Sequence, residues 1–160
     1  MENVKHVAQE NRRIYLPDDY ILGLVEGEGC FTFCTTIGKN HRRVKIPAFA
    51  ISMHERDFAL IDAIRERLNL KNRIYLHRLD PFISSEGKGY MRGRKAFLLV
   101  RDFGALKNKV IPFFYNRLYG NKGKQFIEWL EKIGSDLDVR SDYKLLSRLY
   151  QLGYWDRKFS

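Results

Sequence analysis

The amino-acid sequence predicts an α+β fold: an antiparallel sheet covered on one face by helices, with further helices at the C-terminal end. Three observations predict it. Apolar residues at 20, 21, 24 and 25 form a helical stripe that ends at Glu28 and Gly29. Phe31, Phe33 and Ile37 then alternate with Thr32, Cys34 and Thr36, the period of a strand buried on one face. From Asp102 onward the pattern turns helical.

Residues 1–13 are polar and aperiodic and read as a flexible arm, so the single folded domain, 14–160, begins near Ile14. Pro17 and the Asp18-Asp19 pair signal a helix start, and the first helix covers Tyr20 to Glu28. The strand from Cys30 to Ile37 passes through a basic turn, Gly38 to Arg43, into a returning strand, Val44 to Met53, in which Phe49 and Ile51 face the core. These two strands pair antiparallel. The segment from His54 to Leu70 puts Phe58, Ile61, Ile64 and Leu68 on a helical period. A second strand pair, Arg73 to Leu79 and Lys95 to Arg101, is bridged by Asp80-Pro81 and the Gly/Ser-rich stretch Ser84 to Gly93, long enough for a mobile loop or a hairpin extension. Helices follow at about 103–118, 122–132 and 141–151, separated by Tyr119-Gly120-Asn121 and Gly134-Ser135-Asp136. The order is α-β-β-α-β-β-α, then C-terminal helices.

Composition narrows the function classes. A chain of 160 residues has the size of one ordinary domain, and 44% hydrophobic residues suffice for a core, which excludes global disorder. Against 19 Asp and Glu stand 29 Lys and Arg, a net charge of +10 that favours a polyanionic partner. No apolar run approaches the ~18 residues a membrane span requires, so no membrane partner is expected. Residues 1–13 contain no apolar segment that could serve as a signal peptide; the expected location is intracellular, in an organelle or a prokaryotic cytoplasm. Cys30 and Cys34 are too few for a disulfide framework or a four-ligand zinc site and read as reduced thiols.

The chemistry concentrates at the end of the first helix. Ile21-Leu22-Gly23-Leu24-Val25-Glu26-Gly27-Glu28-Gly29 resembles the LAGLIDADG motif that names a large homing endonuclease family. The aromatic strand after the motif, Phe49 to Asp57, Val110-Ile111-Pro112-Phe113-Phe114, and Gly120-Asn121-Lys122 followed by Phe126 and Trp129 resemble that family's successive landmarks over roughly residues 16–151. The resemblance implies the homing endonuclease fold, a curved antiparallel sheet under helices, in the same order as read above.

Glycines four apart, Gly23 and Gly27, leave one helix face without side chains, so that a second copy of the helix can approach; close packing inside one chain is the other use of such a face. Glu28 stands at a helix C-terminus, where the macrodipole disfavours negative charge, and Glu26 adds to it. Cations between two symmetry-related Glu28 side chains would compensate, and a solvated helix end is the plainer alternative.

The resemblance implies an intron-encoded, site-specific nuclease that hydrolyses phosphodiester bonds in double-stranded DNA. A single motif implies a homodimer on a long, partly palindromic site, with Leu22, Gly23, Val25, Glu26 and Gly27 at the dimer interface. Glu28 and the Gly27 backbone carbonyl would hold Mg²⁺ or Mn²⁺, which polarises the phosphate and activates water. Glu26 is assigned to structure, capping or bonding across the helix interface. Lys122 would stand near the scissile phosphate, its plainer reading being an exposed lysine at a helix start. Met53 departs from the pattern: the family often has Gln or another polar residue there, and a thioether cannot replace its hydrogen bonds.

With Phe31, Phe33 and Ile37 facing the helices, Thr32, Cys34 and Thr36 face outward, and in this family the outward sheet surface lies in the major groove, where all four base pairs can be distinguished. Thr32, Thr36, Arg73, Tyr75, His77, Arg92 and Arg94 are base-edge candidates, with Cys34 on the same face. Lys39, Arg42, Arg43 and Lys88, with Arg92, suit phosphate contacts. Val44, Ile46, Ala48 and Ala50 share the outward parity and would present methyl groups to thymines, unless a bulge reverses the register. The competing readings are a catalytically weak relative that binds DNA or intron RNA, as a maturase or transcription regulator, and a basic structural RNA-binding protein. A nuclease built on Pro17-Asp18 and Glu86-Gly87-Lys88 is disfavoured by their separation.

Overall fold

The computed structural model describes residues 13–90 and 92–156. The expected N-terminal arm therefore lies outside the described residues except for Arg13, which pairs with Glu66 at 3.0 Å. The first helix, α1 (Asp18–Glu28), opens where Pro17, which has no amide hydrogen to leave unpaired, offers its carbonyl to the amides of Tyr20 and Ile21. Asp18 and Asp19 add negative charge to its first turn. It closes abruptly because Gly29 lets the chain pass straight from helix to strand: a Cβ there would lie 2.6 Å from Val25 Cγ1 and 2.8 Å from the Val25 carbonyl oxygen.

The chain continues through β1 (Gly29–Ile37), β2 (Arg43–His54), α2 (Phe58–Arg67), β3 (Tyr75–Arg78), β4 (Phe82–Ile83), β5 (Gly89–Tyr90) and β6 (Arg94–Val100). Strands β1, β2, β6 and β3 form one antiparallel sheet in that spatial order. The bridge between the second pair of strands is a hairpin extension, β4 paired with β5. The next helix, α3, changes pitch twice: Phe103–Ala105, a π-helical stretch Leu106–Val110, then Ile111–Phe114. Next come α4 (Asn121–Ser135) and α5 (Lys144–Gln151). No described helix is long and apolar enough to cross a membrane.

The core lies between the sheet and the helices. Phe31 sits at its centre, 4.8–5.6 Å in ring separation from Phe49, Phe114, Phe126 and Trp129. The indole of Trp129 also donates to the Thr32 carbonyl at 2.8 Å, tying α4 to β1. Ile21 and Val25 of α1, Ile61 and Ile64 of α2 and Leu98 of β6 are fully buried in the same cluster.

Two expected core positions are exposed. Ile37 is 71% exposed, because it pairs with Arg43 at the tip of the β1–β2 ribbon, away from the part that α4 covers. Phe58 is also exposed, since it opens α2 and the buried stripe begins one turn later at Ile61. The outward parity of β2 differs from expectation in the opposite sense. Pairing runs unbroken from Gly29↔Ile51 to Ile37↔Arg43, so no bulge reverses it, yet Ile46, Ala48 and Ala50 are buried. The small Ala48 lies opposite the taller Thr32 of β1, and Ala50 lies between Cys30 of β1 and Leu99 of β6, and both keep almost no surface.

Candidate functional site

At the end of α1, helical geometry divides the motif into two faces. Leu22 and Val25 point into this chain's own core, 7% and 0% exposed, so the expectation that they form a dimer interface is corrected. Gly23 and Gly27 lie on the opposite side, exposed, and a Cβ on either would meet no atom within 4 Å. Among the described residues, nothing of the same chain packs against the two glycines. Exposed Tyr20 and half-buried Leu24 continue this stripe, which ends at the exposed Glu28.

Glu26 turns away from that face. Its carboxylate accepts hydrogen bonds from the amides of Tyr119 and Gly120, the residues leading into α4. The bonds lie within one chain, and they match the capping role expected of Glu26. Gly120 lets the carboxylate come this close, because a Cβ there would lie 2.7 Å from Glu26 Oε2 and would push it aside. One residue into α4, Lys122 reaches back and donates to the Gly29 carbonyl at 2.6 Å. Its ammonium is half-buried at the carbonyl end of α1, where a positive charge is favoured.

Among the described residues, no group of three or more His, Cys, Asp or Glu stands close enough to hold a metal ion. One chain supplies at this point the Glu28 carboxylate and the motif's backbone carbonyls. These are hard oxygen donors suited to Mg²⁺, which binds through one or two carboxylates with water and substrate phosphate completing its shell. The chemistry of this donor set fits such an ion.

The outer face of the sheet carries Thr32, Cys34 and Thr36, all half-buried, and the exposed Tyr75 and His77. Arg73 lies outside β3, with its guanidinium 5.7 Å from the centre of the Tyr75 ring, and Tyr75 stacks on His77 at 6.2 Å. A hollow of about 580 Å³ opens beside this row over Thr36, Val44, Ile46 and Leu99, with Arg101 and Arg140 at its margin. Lys39, Arg43, Lys88 and Arg92 are exposed, and Arg42 approaches Asp138 at 3.7 Å.

Arg94 is a correction: it pairs with Arg78, one position out of phase with His77↔Lys95, and so falls on the inner parity. There it holds Glu55 at 2.6 Å and keeps that carboxyl below its ordinary range through the hydrogen bond. Lys95, Arg101 and Arg140 were missed by the sequence reading. Lys95 takes the outward place expected of Arg94, a difference only the strand register could reveal. Met53 packs half-buried against the core.

An apolar helix ending in the exposed Glu28, beside an antiparallel sheet with basic and aromatic side chains on its outer face, defines the class of α+β protein. The LAGLIDADG endonuclease family model matches residues 21–133, and the chain belongs to that family. Its fold is that of solved homing endonucleases. I-TnaI, a homing endonuclease, shares 20% identity at a TM-score of 0.52, over 87% of this chain and 99% of that one. I-CeuI, a group I intron-encoded homing endonuclease solved with DNA, shares 17% at 0.54, over 85% of this chain and 56% of that one. The meganuclease I-SmaMI, bound to uncleavable DNA, shares 20% at 0.59 over 92% of this chain. This chain spans about half the length of I-SmaMI, 46%. No protein of curated function matches the sequence.

Proposed function

We propose that this protein is a site-specific DNA endonuclease that acts as a homodimer on a long, partly palindromic duplex. The observation that carries the reading is the bare Gly23–Gly27 face of α1, which ends at the exposed Glu28. A surface of that kind lets two helices meet backbone to backbone and brings two Glu28 side chains to one axis. Two carboxylates so placed repel each other unless a cation lies between them.

Glu28 and the Gly27 carbonyl would hold Mg²⁺ or Mn²⁺, and such an ion, when bound, polarises phosphate and lowers the pKa of water. The chain's own groups bind and orient. Lys122, beside the end of α1, supplies positive charge where a phosphate would collect negative charge during hydrolysis. The outer row of Arg73, Tyr75 and His77, with Thr32 and Thr36, faces base edges, and Lys39, Arg42 and Arg43 face phosphates. The alanines of β2 keep the floor of that surface shallow.

The test is selection of cleaved sites from a randomised duplex library with Mg²⁺, alongside a Ca²⁺ arm and the Glu28→Gln variant. Discrete double-strand cuts by the wild type, lost in Glu28→Gln while binding persists, are expected. Cleavage by Glu28→Gln would remove the assignment of Glu28. Bound but uncut DNA with the wild type would favour a regulator or maturase relative, with the thioether of Met53 the first residue to replace by Gln and intron RNA the next ligand to test.

A further inference from the structure

We infer that Glu26 is a positioning residue for Lys122, acting through the start of α4. The inference rests on the endonuclease reading for what Lys122 does, and on geometry alone for how it is held. The two helix ends complete each other. Helix α4 has neither a side-chain cap nor an acid in its first turn, and α1 has no base in its last turn. The backbone groups concerned sit just outside the helices, on the two residues that precede α4 and on the one that follows α1. Glu26 of α1 supplies the carboxylate to the amides at 119 and 120, and Lys122 of α4 supplies the ammonium to the Gly29 carbonyl.

Each charge also sits at the helix pole that favours it, negative at the amide end of α4 and positive at the carbonyl end of α1. Two glycines hold the closure tight. A Cβ on Gly120 would press on the Glu26 carboxylate at 2.7 Å, and one on Gly123 would lie 2.6 Å from the Leu118 carbonyl oxygen. The first turn of α4 is thereby held close to the end of α1, and it delivers Lys122 next to the residue that follows Glu28. Without the Glu26 carboxylate, that turn loses its anchor to α1, and the long Lys122 side chain loses its fixed starting point.

The test has two readouts. The first needs no substrate: the rate at which an amine-acylating reagent modifies Lys122, read by mass spectrometry against the exposed Lys124 in the same protein. Glu26→Ala is expected to raise the Lys122 rate severalfold relative to Lys124. The second is single-turnover cleavage of a selected site. Glu26→Ala should slow it by about 10²-fold, as misplacement of a reacting group by an ångström does, with little change in DNA affinity. In a Lys122→Ala background the same substitution should slow it no further.

A merely structural cap predicts unchanged Lys122 labelling and equal slowing in both backgrounds, and either result overturns the inference. If Glu26→Ala does not fold, Gly120→Ala displaces the carboxylate from the opposite side and should give the same labelling and kinetics. A wild type that cuts no duplex defeats the endonuclease reading, while the labelling still decides whether Glu26 holds Lys122.

Discussion

Lys122 Nζ donates to the Gly29 carbonyl at 2.6 Å, across 93 residues of sequence, and so stands at the end of the helix that carries Glu28. In the proposed enzyme, its charge is positioned for the reacting phosphate rather than for overall DNA affinity. Lys122→Ala should slow single-turnover cleavage by about 10²–10³-fold, the range for removing one electrostatic group from an active site. The dissociation constant for the same duplex should rise far less. Equal losses in rate and affinity would reduce Lys122 to an ordinary phosphate contact.

Three glycines of one motif should respond differently to a side chain. Among the described residues nothing lies within 4 Å of a Cβ placed on Gly23 or Gly27, whereas a Cβ on Gly29 collides with Val25. Gly23→Leu and Gly27→Leu should leave thermal unfolding of the monomer nearly unchanged while shifting sedimentation from dimer to monomer. Gly29→Ala should lower stability by about 1–3 kcal/mol, the cost of overpacking a tight site. A dimer that survives both leucines would place the interface elsewhere.

Much of this was legible in the sequence, because hydrophobic period marks α1, β1, β2 and α2 directly and the motif marks the chemistry. Division of the motif into faces was not read, although the spacing contained it: Tyr20, Gly23, Leu24 and Gly27 follow the i, i+3, i+4, i+7 rule for one side, leaving Leu22 and Val25 on the other. Glu26 was harder. Its partners lie 93 and 94 residues away, and no local pattern announces a carboxylate that crosses to another helix. The exchange of Arg94 for Lys95 has the same origin, since adjacent basic residues on a strand are told apart only by the register with β3.

Trp129 offers a test of how α4 is seated. Its ring belongs to the Phe31 cluster, and its indole donates to the Thr32 carbonyl of β1. Trp129→Phe retains most of the ring contact and removes the bond, leaving a partly buried carbonyl unpaired. A loss of about 1–3 kcal/mol is expected from denaturant unfolding. An unchanged midpoint would mean that water replaces the indole at no cost.

Acid should loosen the junction of α1, α2 and the end of α3. Asp18 accepts two hydrogen bonds from Arg67, at 2.7 and 2.9 Å, and one from Arg117 at 3.3 Å; the Arg67 bonds chiefly hold its carboxyl below the usual range. A depressed native pKa stabilises the fold above the unfolded value of about 3.9 and is lost as pH falls through the native value. Wild type should therefore lose stability below about pH 4, whereas Asp18→Asn should start less stable at pH 7 and show a shallower acid limb. Parallel limbs in urea melts at pH 7 and pH 3 would remove Asp18 from the acid transition.

Arg94 and Lys95 are neighbours in sequence with opposite expected effects. Arg94 spends its charge on Glu55 at 2.6 Å, on the inner parity of β6, while Lys95 is exposed opposite His77 on the outer face. If the outer face meets DNA, Lys95→Ala should weaken binding across sequences and reduce the slope of log K against log salt by roughly one phosphate's worth, about 0.9. Arg94→Ala removes the same formal charge and should leave that slope nearly unchanged, lowering the thermal midpoint instead by freeing Glu55. Binding titrations over a range of salt concentrations separate the two. If the slopes of the two variants fall equally, net charge rather than the register of β6 sets the contact with DNA.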